Sequence, residues 1–352
     1  MIKTHIAKRI EEAIEQRVFP GCAIGYMKGG LREELAFGKL TYENDSRLVN
    51  KDTIYDIASV TKAIPTASLL LKYIDEGKAN IGDYVSRYLP EFGNTAEKRT
   101  VTLRHLLTYT LDLGGIARMS ALRDKSPDSI IKTILEAPTQ STPGAKFVYT
   151  NTTAGLMGLV VEKIGGKKLP ELASEIFFEP LKMTRTTFSP KQFGLENIAP
   201  TEIDEWRRRT IQGEVHDESA YAMSKKMAIG SAGLFSMMPD ILNFLEMLLG
   251  YGAKNNQRYF SEPMVREMYT NQIAGIGECA GLGWELNQPW FMGNKDTLHT
   301  FGKTGFTGCV VMINAIQQTA VVILSNRTYP KRPVNSSASN KLRADIANIL
   351  FD

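Results

Sequence analysis

The sequence predicts an α+β protein: one antiparallel sheet flanked by N- and C-terminal helices, with a mostly helical domain inserted between its strands. Three observations carry this expectation. Short β-rich runs cluster near both ends of the chain, at residues 22–27, 34–38, 308–314 and 319–325. Apolar residues at helical spacing dominate the interval 59–180. Amphipathic helical patterns also close both ends, at residues 1–17 and 339–351.

Taken in order, residues 1–17 carry Ile2, Ile6, Ile10 and Ile14 four apart, the single buried stripe of a surface helix. Lys28-Gly29-Gly30 is a hairpin signal between the first two strands. Helices are expected around residues 69–74, 103–107, 130–135 and 154–164. Residues 184–230 are polar and irregular, and Ala315 to Gln318 reads as the turn between the last two strands. The expected division is a discontinuous sheet domain, 1–58 plus 285–352, around a helical domain, 59–284. A chain of 352 residues fits a prior of about two domains.

Composition excludes several classes of function. Hydrophobic residues make up 43% and charged residues 23%, an ordinary globular balance rather than a disordered or collagen-like one. A net charge of +4 is too small for a nucleic-acid or membrane-surface protein. Cys22, Cys279 and Cys309 are odd in number and widely spread, so reduced, buried thiols are expected. No basic-apolar-small leader opens the chain, and no apolar run approaches the ~18 residues of a membrane span. A cytoplasmic location follows as the expectation. His5, His105, His216 and His299 show no metal spacing, so neither metal nor cofactor is expected. Gly302-Lys303-Thr304 resembles the end of a phosphate loop, but Thr297 stands where that loop needs glycine. No Gly-x-Ser-x-Gly elbow is present. His105, Met237, Met238 and Met247 read as core residues, and Trp206-Arg207-Arg208-Arg209 as a solvated face.

Three short elements carry chemistry. Ser59-Val60-Thr61-Lys62 opens a helical run, which sets Lys62 one turn from Ser59 on the same face. Serine is a weak nucleophile until a neighbouring base takes its proton. Chance predicts about one Ser-x-x-Lys in such a chain, and Ser129-Ile130-Ile131-Lys132 is a second, read as a helix cap. Tyr149-Thr150-Asn151 is the next element: in an extended segment Tyr149 and Asn151 share a side. Tyr149 could then act as general base, and Asn151 could hold a substrate carbonyl or amide. Tyr42/Asn44 and Tyr269/Asn271 repeat the spacing, but only Tyr149 lies between the Pro143-Gly144 turn and an apolar helix. The third element, Lys303-Thr304-Gly305, precedes a strand. Gly305 would let substrate lie along the strand edge, and Lys303 supplies a cation for a substrate carboxylate or for tuning Tyr149. The N–H groups of Phe306 and Ser59 are the natural oxyanion donors. A tyrosine of pKa ~10 is only about 0.1% phenolate at pH 7, so Lys62 and Lys303 are expected to pull it down. Pro65 should bend the helix that carries the nucleophile.

In this order, Ser-x-x-Lys, Tyr-x-Asn and Lys-Thr-Gly resemble the serine β-lactamase and penicillin-binding-protein superfamily, on the class C side with its esterase and D-peptidase relatives. The resemblance covers roughly residues 50–330 and includes Val101 to Thr108, Phe178 to Met183, Val215-His216-Asp217 and Ala232 to Ser236. It implies a serine hydrolase with an acyl-enzyme on Ser59 and with Lys62 and Tyr149 sharing the proton work. Asn151, Lys303, Thr304, Gly305, Phe306 and His216 would meet a small-molecule ester, peptide or β-lactam. His216-Asp217 is expected to serve the pocket or a structural hydrogen bond rather than a Ser-His-Asp triad. The family's usual Thr-His-Thr-Ser-Gly-Leu reads Thr108-Tyr109-Thr110-Leu111-Asp112-Leu113 here. Three functions remain: an ester or D-peptide amide hydrolase, a cell-wall D,D-peptidase or β-lactamase, and a non-catalytic penicillin-binding module.

Overall fold

A computed structural model describes residues 1–114, 119–295 and 297–351. Its strands run β1 Gly21–Lys28, β2 Leu31–Gly38, β3 Ile54–Asp56, β4 Glu202–Asp204, β5 Arg209–Ile211 and β6 Phe235–Met237. They continue with β7 Ala253–Lys254, β8 Gln257–Arg258, β9 Glu285–Leu286, β10 Thr300–Thr304, β11 Val310–Asn314 and β12 Thr319–Ser325. Six of them form one antiparallel sheet in the order β2-β1-β12-β11-β10-β9. Strands from the two ends of the chain meet at its centre, where Cys22 pairs with Ser325 and Met27 with Ala320. Gly29 and Gly30 both take positive φ, +60° and +80°, the conformation that a tight two-residue hairpin demands.

Both faces of the central strands are buried, which is why β12 is an unbroken apolar run rather than an alternating one. Successive side chains still point to opposite faces. Val321 and Ile323 pack with Ile6 and Ile10 of the N-terminal helix, Ile2–Glu15, and with Ile346 and Leu350 of the C-terminal helix, Ser337–Leu350. Val322 and Leu324 belong to the larger core on the other face, with Leu242 and Leu245 of the helix Met238–Leu249. A Cβ on Gly25 of β1 would lie 2.6 Å from Leu242 Cδ1 and 2.6 Å from Met238 Sδ, so that helix rests directly on the strand. Each such aliphatic side chain contributes about 1.5–3 kcal/mol on burial.

Between β2 and β9 helix is the predominant regular structure, including Ser68–Asp75, Leu103–Leu107, Pro127–Glu136 and Asn151–Gly165. Three two-stranded ribbons, β3-β6, β4-β5 and β7-β8, lie outside the main sheet.

Several local expectations need correction. The stretch 184–230 is not wholly irregular: it holds the β4-β5 hairpin and the helix Glu218–Ser224. Arg207 is not a solvated side chain, because its guanidinium donates to the carbonyls of Val215 (2.7 Å) and His216 (3.1 Å). Cys22 and Cys309 are buried, whereas Cys279 is half-buried. His105 is a half-buried helix cap rather than a core residue: its Nδ1 accepts from the Thr102 N–H at 3.0 Å. Ser126, not Ser129, caps the helix Pro127–Glu136, and Lys132 pairs with Glu136 on the surface.

Candidate active site

The Ser59 segment begins where β3 ends. Asp56 is buried, and its carboxylate accepts from the N–H of Ala58 (2.8 Å) and of His216 (2.7 Å). The first bond holds Ala58 at a φ of +46°, a strained value for a residue with a side chain, and so turns the chain sharply into Ser59. Burial raises the Asp56 carboxyl to about 6, against the lowering effect of those two N–H donors. The helix then runs Ala58–Lys62, and Ile64 leaves helical geometry (φ −116°, ψ 107°) just before Pro65. That break is the bend expected at Pro65.

One turn beyond Ser59, Lys62 has no solvent exposure, and its Nζ donates to Ser59 Oγ and to the Ser231 carbonyl, both at 2.8 Å. The segment 230–234 lies along this helix, tied by Thr66 Oγ1 to Gly230 O and by the Leu234 N–H to Thr61 Oγ1. Burial, reinforced by the Lys303 ammonium, lowers Lys62 to about 7; Asp217 and Glu285 oppose this. Lys303 is lowered to about 8, also by burial, with Glu285 opposing.

Tyr149 precedes the N-cap Thr150 of the helix Asn151–Gly165, and its hydroxyl is hydrogen-bonded to Ser59. The side chain is 38% exposed, while the hydroxyl end is shut in against Ser59. Lys303 Nζ stands 4.1 Å from the centre of the Tyr149 ring and Lys62 Nζ 5.3 Å, over the face rather than at the oxygen. The two cations therefore do not produce the phenolate expected from sequence. Desolvation and the Glu285 charge push the phenol up instead.

Lys303 lies inside β10, opposite Val311, and the Lys303-Thr304-Gly305 element leads into β11 as expected. It is fully buried, 3.6 Å from Glu285 Oε1 and 4.5 Å from the Tyr109 ring centre. Lys303 is thus enclosed by Glu285 and the rings of Tyr109 and Tyr149. Gly305 is glycine for a packing reason: a Cβ there would lie 2.4 Å from the Ile57 carbonyl, two residues before Ser59. This contact brings the Lys303-Thr304-Gly305 segment against the chain that leads into Ser59. Thr304 is half-exposed beside it, and the exposed Phe306 has an N–H with no acceptor among the described residues. Ser59 is the second residue of its helix, where an N–H has no intrahelical acceptor either.

Asn151 and His216 are placed differently from each other. Asn151 Nδ2 donates to Asp217 Oδ2 at 3.1 Å. His216 is buried beside Phe306, with ring centroids 5.5 Å apart and Nε2 3.7 Å from Glu202. Burial, then Arg332, depresses His216 to about 4, so it is neutral near pH 7. Its tie to the Ser59 segment is its backbone N–H on Asp56. Asp56, Glu285, Tyr109 and Ser231 are absent from the sequence-derived set. A lone acid between Trp284 and Leu286 in an apolar strand is the signal that could have found Glu285. Among the described residues no His/Cys/Asp/Glu cluster could hold a metal ion, and no helix is long and apolar enough to cross a membrane.

This arrangement has recognisable relatives. The profile of the beta-lactamase family matches residues 6–345. A putative D-alanyl-D-alanine carboxypeptidase of Escherichia coli (strain K12) is 30% identical over 320 residues, covering 82% of this chain and 72% of that protein. An N-acetylmuramyl-L-alanine amidase of Bacillus subtilis (strain 168) is 28% identical over 365 residues, covering 92% and 81%. Among solved structures, EstCE1, a hydrolase with promiscuous acyltransferase activity, superposes with a TM-score of 0.79 at 19% identity, covering 100% of this chain and 98% of that one. The last likeness shows the fold; the family match and the E. coli relative establish kinship. The chain belongs to the beta-lactamase family and is a hydrolase of that family.

Proposed function

We propose that the protein forms an acyl-enzyme on Ser59 and hydrolyses small carboxylic esters or amides of D-amino-acid peptides. The observation that carries this reading is the buried Lys62 Nζ, 2.8 Å from Ser59 Oγ and held to about 7. A lysine near pH 7 is an effective general base, whereas an ordinary one is almost wholly protonated. Ser59 Oγ attacks the carbonyl carbon as its proton passes to neutral Lys62. The N–H groups of Ser59 and Phe306 receive the developing oxyanion. Collapse breaks the bond to the leaving group, which takes its proton from the Tyr149 hydroxyl; Tyr149 is resupplied from Lys62. Water, deprotonated along the same route, then releases the acid and restores Ser59. Asn151, Thr304 and Gly305 line the substrate side, with His216 behind Phe306.

A cell-wall D,D-carboxypeptidase or class C-type β-lactamase is the second reading, favoured by the name of the E. coli relative. The test is a panel of short-chain p-nitrophenyl esters, a D-alanyl-D-alanine peptide and a chromogenic cephalosporin, each run with wild type and Ser59→Ala. Wild-type turnover and covalent labelling that both vanish in Ser59→Ala are expected; retention of either excludes Ser59 as the nucleophile. Labelling without turnover on every substrate would make the protein a penicillin-binding module instead.

A further inference from the structure

Phe306 stands second in a four-residue turn, Gly305 to Gly308, closed by the Gly308 N–H on the Gly305 carbonyl at 3.1 Å. The rest of the turn is held by residues from further along the chain. Arg343, in the C-terminal helix, sends Nη2 to the Gly305 carbonyl (3.1 Å) and to the Cys309 carbonyl (3.0 Å). Arg327, two residues beyond β12, gives its Nε to the Phe306 carbonyl at 2.8 Å. Arg343 is buried, and among the described residues it pairs with no carboxylate; its remaining bond runs from Nη1 to Asn340 Oδ1. Burial, then Arg327, lowers it to about 10, so it keeps its charge near pH 7. An unpaired buried cation is costly. Seating the helix does not require it, because Leu342, Ile346 and Leu350 supply the apolar face. What the cation does hold is the turn.

The Gly305–Phe306 peptide is trans, and a trans unit keeps its C=O and its N–H on opposite sides. Fixing the carbonyl toward Arg343 therefore fixes the Phe306 N–H away from it. Arg327 fixes the next peptide unit in the same way. Bonds from a cationic donor are roughly twice as strong as neutral ones, and a polarised carbonyl makes the N–H of the same amide a better donor. Thr307 Oγ1 on the Asp56 carbonyl, and the close approach of Gly305 to Ile57, lay this turn along the residues that lead into Ser59.

We propose that Arg343 and Arg327 are positioning residues that aim the Phe306 N–H at the substrate carbonyl oxygen, so that the C-terminal helix takes part in setting the rate of acyl transfer. This rests on the reading of Phe306 as an oxyanion donor. Neither guanidinium touches the substrate; each acts through the carbonyl that it holds.

Two esters that differ at one atom read the aim of that N–H: p-nitrophenyl acetate and its thiono analogue, in which sulfur, a weak acceptor, replaces the carbonyl oxygen. Phe306→Pro supplies the reference, because proline is accepted as the second residue of a β-turn and removes the N–H. Loss of one oxyanion donor costs about 10²–10³ in kcat, so Phe306→Pro should lower the oxygen-to-sulfur ratio of kcat by about 100-fold. Arg343→Met should lower the same ratio by about tenfold, with KM within about threefold of wild type, and Arg327→Met should lower it in the same direction. Arg343→Lys, which keeps a charged donor, should recover part of the ratio. If Arg343→Met does not fold in urea titration, Arg343→Gln, which keeps one NH2 without the charge, is read in its place and should still lower the ratio. A ratio lowered in Phe306→Pro but unchanged in the Arg343 and Arg327 variants, or rates that fall equally on both esters in those variants, overturns the proposal and leaves the oxyanion reading standing. An unchanged ratio in Phe306→Pro overturns both.

Discussion

At Lys62, burial and the Lys303 ammonium both oppose the charged form, and the lysine settles near 7. If its neutral form is the base, kcat/KM falls about tenfold per pH unit below that value; a pH–rate profile flat from pH 5 to 8 would assign the base elsewhere. The same group shapes stability. Its folded value lies below the ordinary 10.5, so between about 7 and 10.5 the unfolded chain binds more protons and stability rises with pH. Lys62→Met should abolish turnover and make that rise shallower in urea titrations across the window. Gly305→Ala tests a contact rather than a charge: its methyl would sit 2.4 Å from the Ile57 carbonyl, forcing the end of β10 and the Ser59 segment apart. A loss of about 1–3 kcal/mol is expected, with at least a tenfold drop in kcat. Ser59 and Lys62 were legible in the sequence because one helical turn joins them. Glu285 was not, since it reaches Lys303 only through the pairing of β9 with β10. The Asn151–Asp217 bond, between residues 66 apart, was equally hidden.

Among the elements, the three-residue strand β3 does more than its length implies. It pairs with β6, its last residue Asp56 sets the turn into Ser59, and the Asp56 carbonyl accepts from Thr307 Oγ1 at 2.6 Å. One residue thus joins the Ser59 segment, the His216 backbone and the loop after β10. Asp56→Ala would strand two buried N–H donors, each costing about 1–3 kcal/mol. An unfolding free energy lower by about 2–4 kcal/mol in urea titration is expected, together with impaired turnover; an unchanged midpoint would show that the turn does not depend on this carboxylate. Long helices and the central strands were readable from periodicity, because each buries a continuous apolar face. The short ribbons β3-β6 and β4-β5 were not, because three residues carry no period and their partners lie far along the chain.

For the molecule as a whole, both ends of the chain build one sheet, and the helical segments between them pack on one of its faces. We propose that residues 1–58 with 285–352, and residues 59–284, act as two parts that meet at the cleft, although the larger core runs through both. The face under the terminal helices is the more separable test. Ile346→Ala removes a fully buried side chain there, at an expected cost of about 2–5 kcal/mol measured by urea unfolding. A larger loss of kcat than of stability would contradict its purely structural place. The central pairing of β1 with β12 also carries a consequence for how the enzyme comes into being. Chains are made from the N-terminus, so Ser59 and Lys62 leave the ribosome early, while Lys303 and the strand beside Ile57 leave it late. Until β12 arrives, β1 has one edge open, and until Gly305 arrives the chain before Ser59 lacks its packing partner at Ile57. If Ser59 is the nucleophile as proposed, a nascent chain carries it unarmed, and the site is complete only when the last strands close the sheet.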